Sequence, residues 1–194
     1  MITSISNERV KRIRHLRDRK HRAETGLYLI EGLRLVIEAI QLSAEIEFLI
    51  VAPELLTSDI GKKVAENHKN FEIVEVSQEV FRSFSHKDGP QGIAAIIRQR
   101  WNTITSLDPI DGLWVALDSV ADPGNLGAIL RTTEAAGGKG VFLLDQSTDP
   151  YDPTTIRASM GSLFNLQLIK TTFGQFEEWK IRKNVMTVGT DGEA

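Results

Sequence analysis

From Gly26 onward, short apolar runs alternate with amphipathic stretches, and this alternation restricts the chain to an α/β architecture with strands buried between helices. The runs at 27–31, 46–51, 71–76 and 93–98 have strand length. The stretches 33–41, 59–67 and 78–84 have helical periodicity, the last with Ser77 placed to cap it. Residues 100–112, which include Trp101, Thr103, Pro109 and Gly112, break all periodicity and predict a boundary. Beyond it, 113–118 is an apolar run ending on Asp118, the pattern of a buried parallel strand. A helix through Ala136 stops at Gly137 and Gly138, and 140–145 completes a βαβ unit. A looser repeat follows, with helix 154–160, strand 166–169, helix 173–182 and strand 185–188.

Composition narrows the function classes. The 194 residues are 41% hydrophobic and 25% charged, enough apolar material for a real core. No apolar run approaches the roughly 18 residues of a membrane span, and residues 1–24 lack the apolar segment of a secretory signal, so a soluble cytoplasmic protein is expected. With no cysteine, disulfides and thiolate sites are excluded; His15, His21, His68 and His86 have no metal-ligand spacing, and no metal is expected. Residues 1–24 carry Arg9, Lys11, Arg12, Arg14, Arg17, Arg19, Lys20 and Arg22 against Glu8, Asp18 and Glu24, on a chain whose net charge is −3. A basic cluster on an otherwise acidic protein fits a localised polyanion contact; a solvated helix face or a frayed tail gives the same composition.

The stretch from Asp118 to Gly137 is the most specific. It lies where a strand passes to a helix N-terminus, a position at which backbone N–H groups and the helix dipole favour anions. At about 100° per residue, Leu126, Ile129, Leu130, Thr133 and Ala136 form one stripe, predicted to face the sheet, while Gly127, Ala128, Arg131 and Ala135 lie opposite. Small residues around one arginine suit close approach of a backbone or ligand better than a merely solvated face. Gly124 and Gly127 form neither the dinucleotide fingerprint nor a phosphate-binding Walker loop.

The run Asp122-Pro123-Gly124-Asn125-Leu126-Gly127-Ala128-Ile129-Leu130-Arg131 resembles the first signature motif of the SpoU-type (TrmH-like) RNA 2′-O-ribose methyltransferases of the SPOUT superfamily, and Ile156-Arg157-Ala158-Ser159-Met160-Gly161-Ser162-Leu163 is similar to a second. In the first half, Lys20-His21-Arg22, Leu29-Ile30-Glu31-Gly32 and Gly89-Pro90-Gln91-Gly92-Ile93 resemble the family's L30e/L7Ae-like substrate-binding domain. The resemblance implies an RNA-binding domain at 1–100, a linker at 101–112 and a mostly parallel-sheet α/β-knot domain at 113–194. It also implies S-adenosylmethionine as methyl donor, RNA as acceptor with ribosomal RNA preferred over transfer RNA, and homodimers. Family members continue with a Gly-x-Glu-x-x-Gly-like loop, an Ile-Pro-Met-like segment and a Ser-Leu-Asn-Val helix; these are absent from the sequence, so a knot domain truncated before completion is expected. Gly189 and Thr190 stand where a first cofactor loop would begin.

By the same resemblance Arg131 is the central catalytic residue. A guanidinium keeps its proton in proteins, so a planar fork that holds phosphate and stabilises the developing alkoxide is easier to accept than a literal base. Asn125 either helps catalysis by fixing the 122–124 loop or bonding the nucleotide, or caps the helix. Arg14, Lys20, Arg22 and Arg157 are the candidate RNA-phosphate contacts. Two other classes stay open. One is an RNA-binding module without catalysis; the other is a small-molecule enzyme using Asp118 and Asp122 as a carboxylate pair.

Overall fold

The computed structural model describes residues 1–67, 71–107 and 111–190. The basic N-terminal stretch forms two helices, α1 (Glu8–His15) and α2 (Arg19–Thr25), so it is not a frayed tail. Asn7 caps α1, its side chain accepting the Arg9 N–H at 2.9 Å, and the apolar residues Val10, Ile13 and Leu16 are buried. They pack with Val80, Phe81 and Phe84 of α5 (Gln78–Phe84), whose N-cap is Ser77 as the sequence predicts.

The first half holds β1 (Leu27–Glu31), α3 (Leu33–Gln41), β2 (Ile46–Val51), α4 (Asp59–Asn67), β3 (Glu72–Glu75) and β4 (Ile93–Arg98). The strands make a mixed sheet in the order β1-β4-β2-β3, with only β2 and β3 parallel. Central β4 is buried from Ile93 to Ile97, which accounts for its unbroken apolar run.

The second half is a three-stranded parallel sheet in the order β5-β6-β7, built from β5 (Trp114–Asp118), β6 (Gly140–Leu144) and β7 (Gln167–Thr171). Its crossovers run through α6 (Pro123–Ala135) and α7 (Pro153–Ser159), and α8 (Phe173–Lys183) follows, fixed by a Thr172–Gln175 capping box. The expected strand at 185–188 is not formed. Asn184 ends α8 with φ +51, and the following chain is irregular, Met186 being 90% and Val188 80% exposed. Without a ladder partner among the described residues, a β-branched run has nothing to hold it extended.

Between the sheets, residues 102–107 do not hang free. Asn102 bridges to Ile169 of β7, a 3-10 turn spans Ile104–Ser106, and Leu107 is buried with Phe142 and Trp179. Pro109, in the predicted boundary, lies outside the described residues, as do His68 and residues 191–194.

One hydrophobic core joins the halves, with Tyr28, Ile30 and Val36 from the first and Leu126, Leu130 and Tyr151 from the second. The Tyr151 hydroxyl accepts the Arg100 N–H at 2.9 Å and donates to the Arg100 carbonyl at 2.6 Å; burial pushes this phenol and that of Tyr28 well above the usual range. Beside them Arg22, 1% exposed, bonds Asp149 at 2.8 Å, Asp152 at 3.4 Å and the carbonyls of Leu16 and Arg17. Removing one partner of a buried ion pair strands the other charge, at a cost of about 3–5 kcal/mol. Arg22→Ala is therefore expected to lose that much in urea denaturation, whereas Lys20→Ala, 81% exposed at its side chain, changes stability by no more than about 0.5 kcal/mol.

Candidate functional site

The signature stretch is organised by its N-cap. Asp122 has extended backbone, and its side chain accepts the Asn125 N–H at 2.7 Å, with Pro123 in the first turn where no N–H is needed. The cap is therefore Asp122, and Asn125, in the first turn, leaves its exposed side chain free to meet a ligand. Upstream, Ser119 takes φ +54 and its hydroxyl bonds Asp118, so Asp118 and Asp122 are both occupied locally and form no mutual pair.

The buried face of α6 is rotated from the predicted stripe. Leu126, Gly127, Leu130 and Thr133 are buried, whereas Ala136 is exposed. The cause is α7. A Cβ on Gly127 would stand 2.5 Å from the Ala158 Cβ and 2.6 Å from the Thr155 carbonyl, so only glycine lets the helices meet backbone to backbone. The Thr155 hydroxyl donates to the Pro123 carbonyl at 3.0 Å, tying α7 to the signature loop. Arg131 lies about 40° round the helix from Gly127, at the margin of this contact. It is exposed, and among the described residues no hydrogen bond or ion pair engages it. Its neighbour Glu134 is held by Ser162 at 2.5 Å and by Asn165.

The second motif also has a structural logic. Asp152 caps α7 through the Thr154 N–H at 2.8 Å while its other oxygen meets Arg22. The helix ends at Met160 (φ +55) and Gly161 (φ +101), where a Cβ would overlap the Glu38 carboxylate. Ser159 is buried on its own turn, bonding Ile156, and Arg157 points outward and is exposed. A cavity of about 390 Å³ opens here, bringing Arg157 together with Arg34, His86 and Lys87 from the first half. At its floor Glu31 is held by the Ser85 hydroxyl at 2.6 Å and the His86 N–H at 2.9 Å, and Gln91 accepts the Leu33 N–H. Burial and the nearby Arg17 charge push the His86 imidazole below its usual value, against the opposing pull of Glu31.

The predicted phosphate contacts separate. Arg157 fits. Lys20 is exposed, with Glu24 at 3.9 Å, and Arg14 donates to the Ile5 carbonyl at 2.6 Å. Arg22 is corrected: it is buried and fully engaged within the fold, so it is not a phosphate ligand. Arg9 is likewise committed, bidentate to Glu72 and 4.2 Å over Phe48. Sequence reading missed Arg34, His86 and Lys87, which no motif unites. It also missed His15, Asp18 and His21, whose ligand atoms lie within 4.8 Å of one another at the α1–α2 turn. The two imidazoles stack at 4.5 Å, and basic residues flank them along the chain, which opposes a cation. Gly189 and Thr190 are exposed in irregular chain, and neither they nor any α6 residue lines either of the two cavities described in this structure.

Residues 112–194 match the SpoU rRNA Methylase family and residues 7–95 an MRM3-like substrate binding domain. The crystal structure of an AdoMet-bound rRNA methyltransferase from Sinorhizobium meliloti superposes with a TM-score of 0.81 at 38% identity, over 94% of this chain and 68% of that one. The chain belongs to the SpoU family of RNA 2′-O-methyltransferases. It is 28% identical to the Bacillus subtilis 23S rRNA (guanosine(2553)-2′-O)-methyltransferase RlmP, over 97% of this chain and 72% of that protein. It is 27% identical to human mitochondrial rRNA methyltransferase 3, spanning 90% of this chain and 41% of the relative. By family it is an enzyme whose methyl donor is S-adenosylmethionine. A SpoU-type member thus carries its signature arginine free at the margin of the α6–α7 contact.

Two outcomes check this geometry. Gly127→Ala overpacks the α6–α7 contact and is expected to cost about 1–3 kcal/mol, read by thermal or urea unfolding. Because the fold favours the neutral His86 imidazole, the stability it contributes is complete above about pH 6.5 and declines as pH falls below that value; His86→Gln should flatten this decline in a pH series of unfolding curves.

Proposed function

We propose that this SpoU family member transfers a methyl group to a ribose 2′-hydroxyl of ribosomal RNA, with Arg131 as the catalytic residue. The observation that carries the reading is Arg131 itself: an unengaged arginine, held by a helix whose position a glycine contact and an aspartate cap fix closely. S-adenosylmethionine supplies an electrophilic methyl when bound; of this chain's residues, Gly189 and Thr190 are the ones we assign toward it.

The chain's own work is positioning and charge. In-line displacement needs the 2′-oxygen held near attack distance while its proton passes to solvent water. Arg131 holds the adjacent phosphate with a planar fork and stabilises negative charge developing on the ribose oxygen. Asn125, six residues before Arg131 and about 240° round the same helix, bonds the nucleotide. Residues 1–100 form the substrate-binding part, 101–112 the linker and 113–194 the transferase part. Across the junction Arg34, Lys87 and Arg157 supply the phosphate contacts, with Arg14 and Lys20 beyond them. Homodimerisation and a cytoplasmic location belong to the same proposal; among the described residues no helix is long and apolar enough to cross a membrane.

Transfer of label from S-adenosylmethionine to ribosomal RNA tests the reading. Arg131→Ala should slow it at least about 100-fold with stability within about 1 kcal/mol, since the side chain lies off the core. Arg131→Lys should be nearly as slow because an ammonium is not a bidentate fork, and a near-normal lysine variant overturns that role. Removing Arg34, Lys87 and Arg157 together should flatten the salt dependence of RNA binding by about 2 units of slope, at about 0.7 per lost contact; an unchanged slope removes the cleft from the RNA path.

A further inference from the structure

A second cavity, of about 630 Å³, lies away from α6, where the C-terminal ends of β6 and β7 meet the 101–105 segment and α8. Its volume is that of a ligand site. Two residues that line it each carry a buried polar atom with no hydrogen-bond partner among the described residues: the Oδ1 of Asn102, an acceptor, and the Nε1–H of Trp179, a donor on a residue that is 2% exposed. Orphaned groups of this kind are uncommon in a folded protein, because each is costly unless something meets it. At the rim Trp101 offers an indole that is 39% exposed, although its own N–H is taken by Gln99. Lys170 and Arg182 are exposed beside it, with no hydrogen bond or ion pair among the described residues. Asp145, at the end of β6 with φ +48, spends one oxygen on the Phe173 N–H.

We propose that this cavity binds one nucleotide, its base against Trp101 and hydrogen-bonded to Asn102 and Trp179, its phosphate on Lys170 and Arg182. The remaining oxygen of Asp145 suits a ribose hydroxyl, as carboxylates do at strand ends in α/β sheets. An aromatic platform with cations beside it is how proteins hold unpaired nucleotides, the base stacking on the ring while the cations meet the phosphate. A base edge offers a partner to both groups, whereas a simple anion could take the Trp179 N–H but would leave the Asn102 oxygen, an acceptor, unpaired. This proposal goes beyond the transfer reaction, because no residue of α6 lines the cavity.

Two of the chain's three tryptophans line the cavity, so its occupancy reads directly as quenching of their fluorescence. The probes are uridine monophosphate and a uridine hexaribonucleotide. Saturable quenching is expected, with a Kd below about 1 mM, an ordinary weak-ligand affinity. Lys170→Glu with Arg182→Glu, both at exposed positions, should weaken it at least tenfold, and Asn102→Ala several-fold. Displacement of the mononucleotide by the hexamer identifies an RNA chain as the source of the nucleotide; a mononucleotide that the hexamer leaves in place identifies a free nucleotide. No saturable quenching by either probe, or a Kd unmoved by the double charge reversal, overturns the proposal. Arg131→Ala should leave the quenching intact, so failure of the transfer reading and failure of this one are told apart.

Discussion

Beside the hydrophobic core that the two halves share, a buried guanidinium ties them together. Arg22 comes from the basic N-terminal stretch, and its acidic partners Asp149 and Asp152 lie 127 and 130 residues away along the chain. Charges removed from water are tolerated only where their hydrogen bonds are complete, and here Leu16 and Arg17 supply the carbonyls that complete them. The consequence reaches the site. Asp152 caps α7 while it pairs with Arg22, α7 presses on α6 at Gly127, and α6 presents Arg131. The position of the signature arginine therefore depends on a contact made by the first half.

Arg22 is one of several basic residues of the N-terminal stretch whose charge is taken up within the fold. Arg9, Arg17 and Arg22 are committed to Glu72, to the Ser85 carbonyl and to the interior, and Lys11 pairs with Glu8. The cations left open beside the second motif are Arg34, Lys87 and Arg157, drawn from three separate elements. Their cleft exists because α3, the loop before β4 and α7 meet at one place.

Much of this was legible in the sequence where the signal is local. Alternating apolar runs located seven strands, and caps such as Ser77 located helix starts, since both depend on neighbours in the chain. The signature string located Arg131 and the close approach at Gly127. What failed was non-local. Nothing near Arg22 announces that its partners arrive from beyond residue 148. The buried arc of α6 turned from Ala136 toward Gly127 because α7 covers it, and the apolar residues at 185–188 read as a strand although no neighbour pairs with them. Asn125 and Asp122 are both good capping residues, and only the backbone conformation separates them.

The central claim is that the acceptor is a ribose 2′-oxygen, and alkaline hydrolysis tests it most directly. Each RNA linkage is cleaved by its own 2′-hydroxyl, so a methyl on that oxygen protects one bond. Ribosomal RNA treated with the protein and S-adenosylmethionine should give an alkaline ladder with a single new gap at the labelled nucleotide, and the Arg131→Ala protein should give none. Label incorporated into RNA whose ladder remains unbroken would place the methyl on a base and contradict the account.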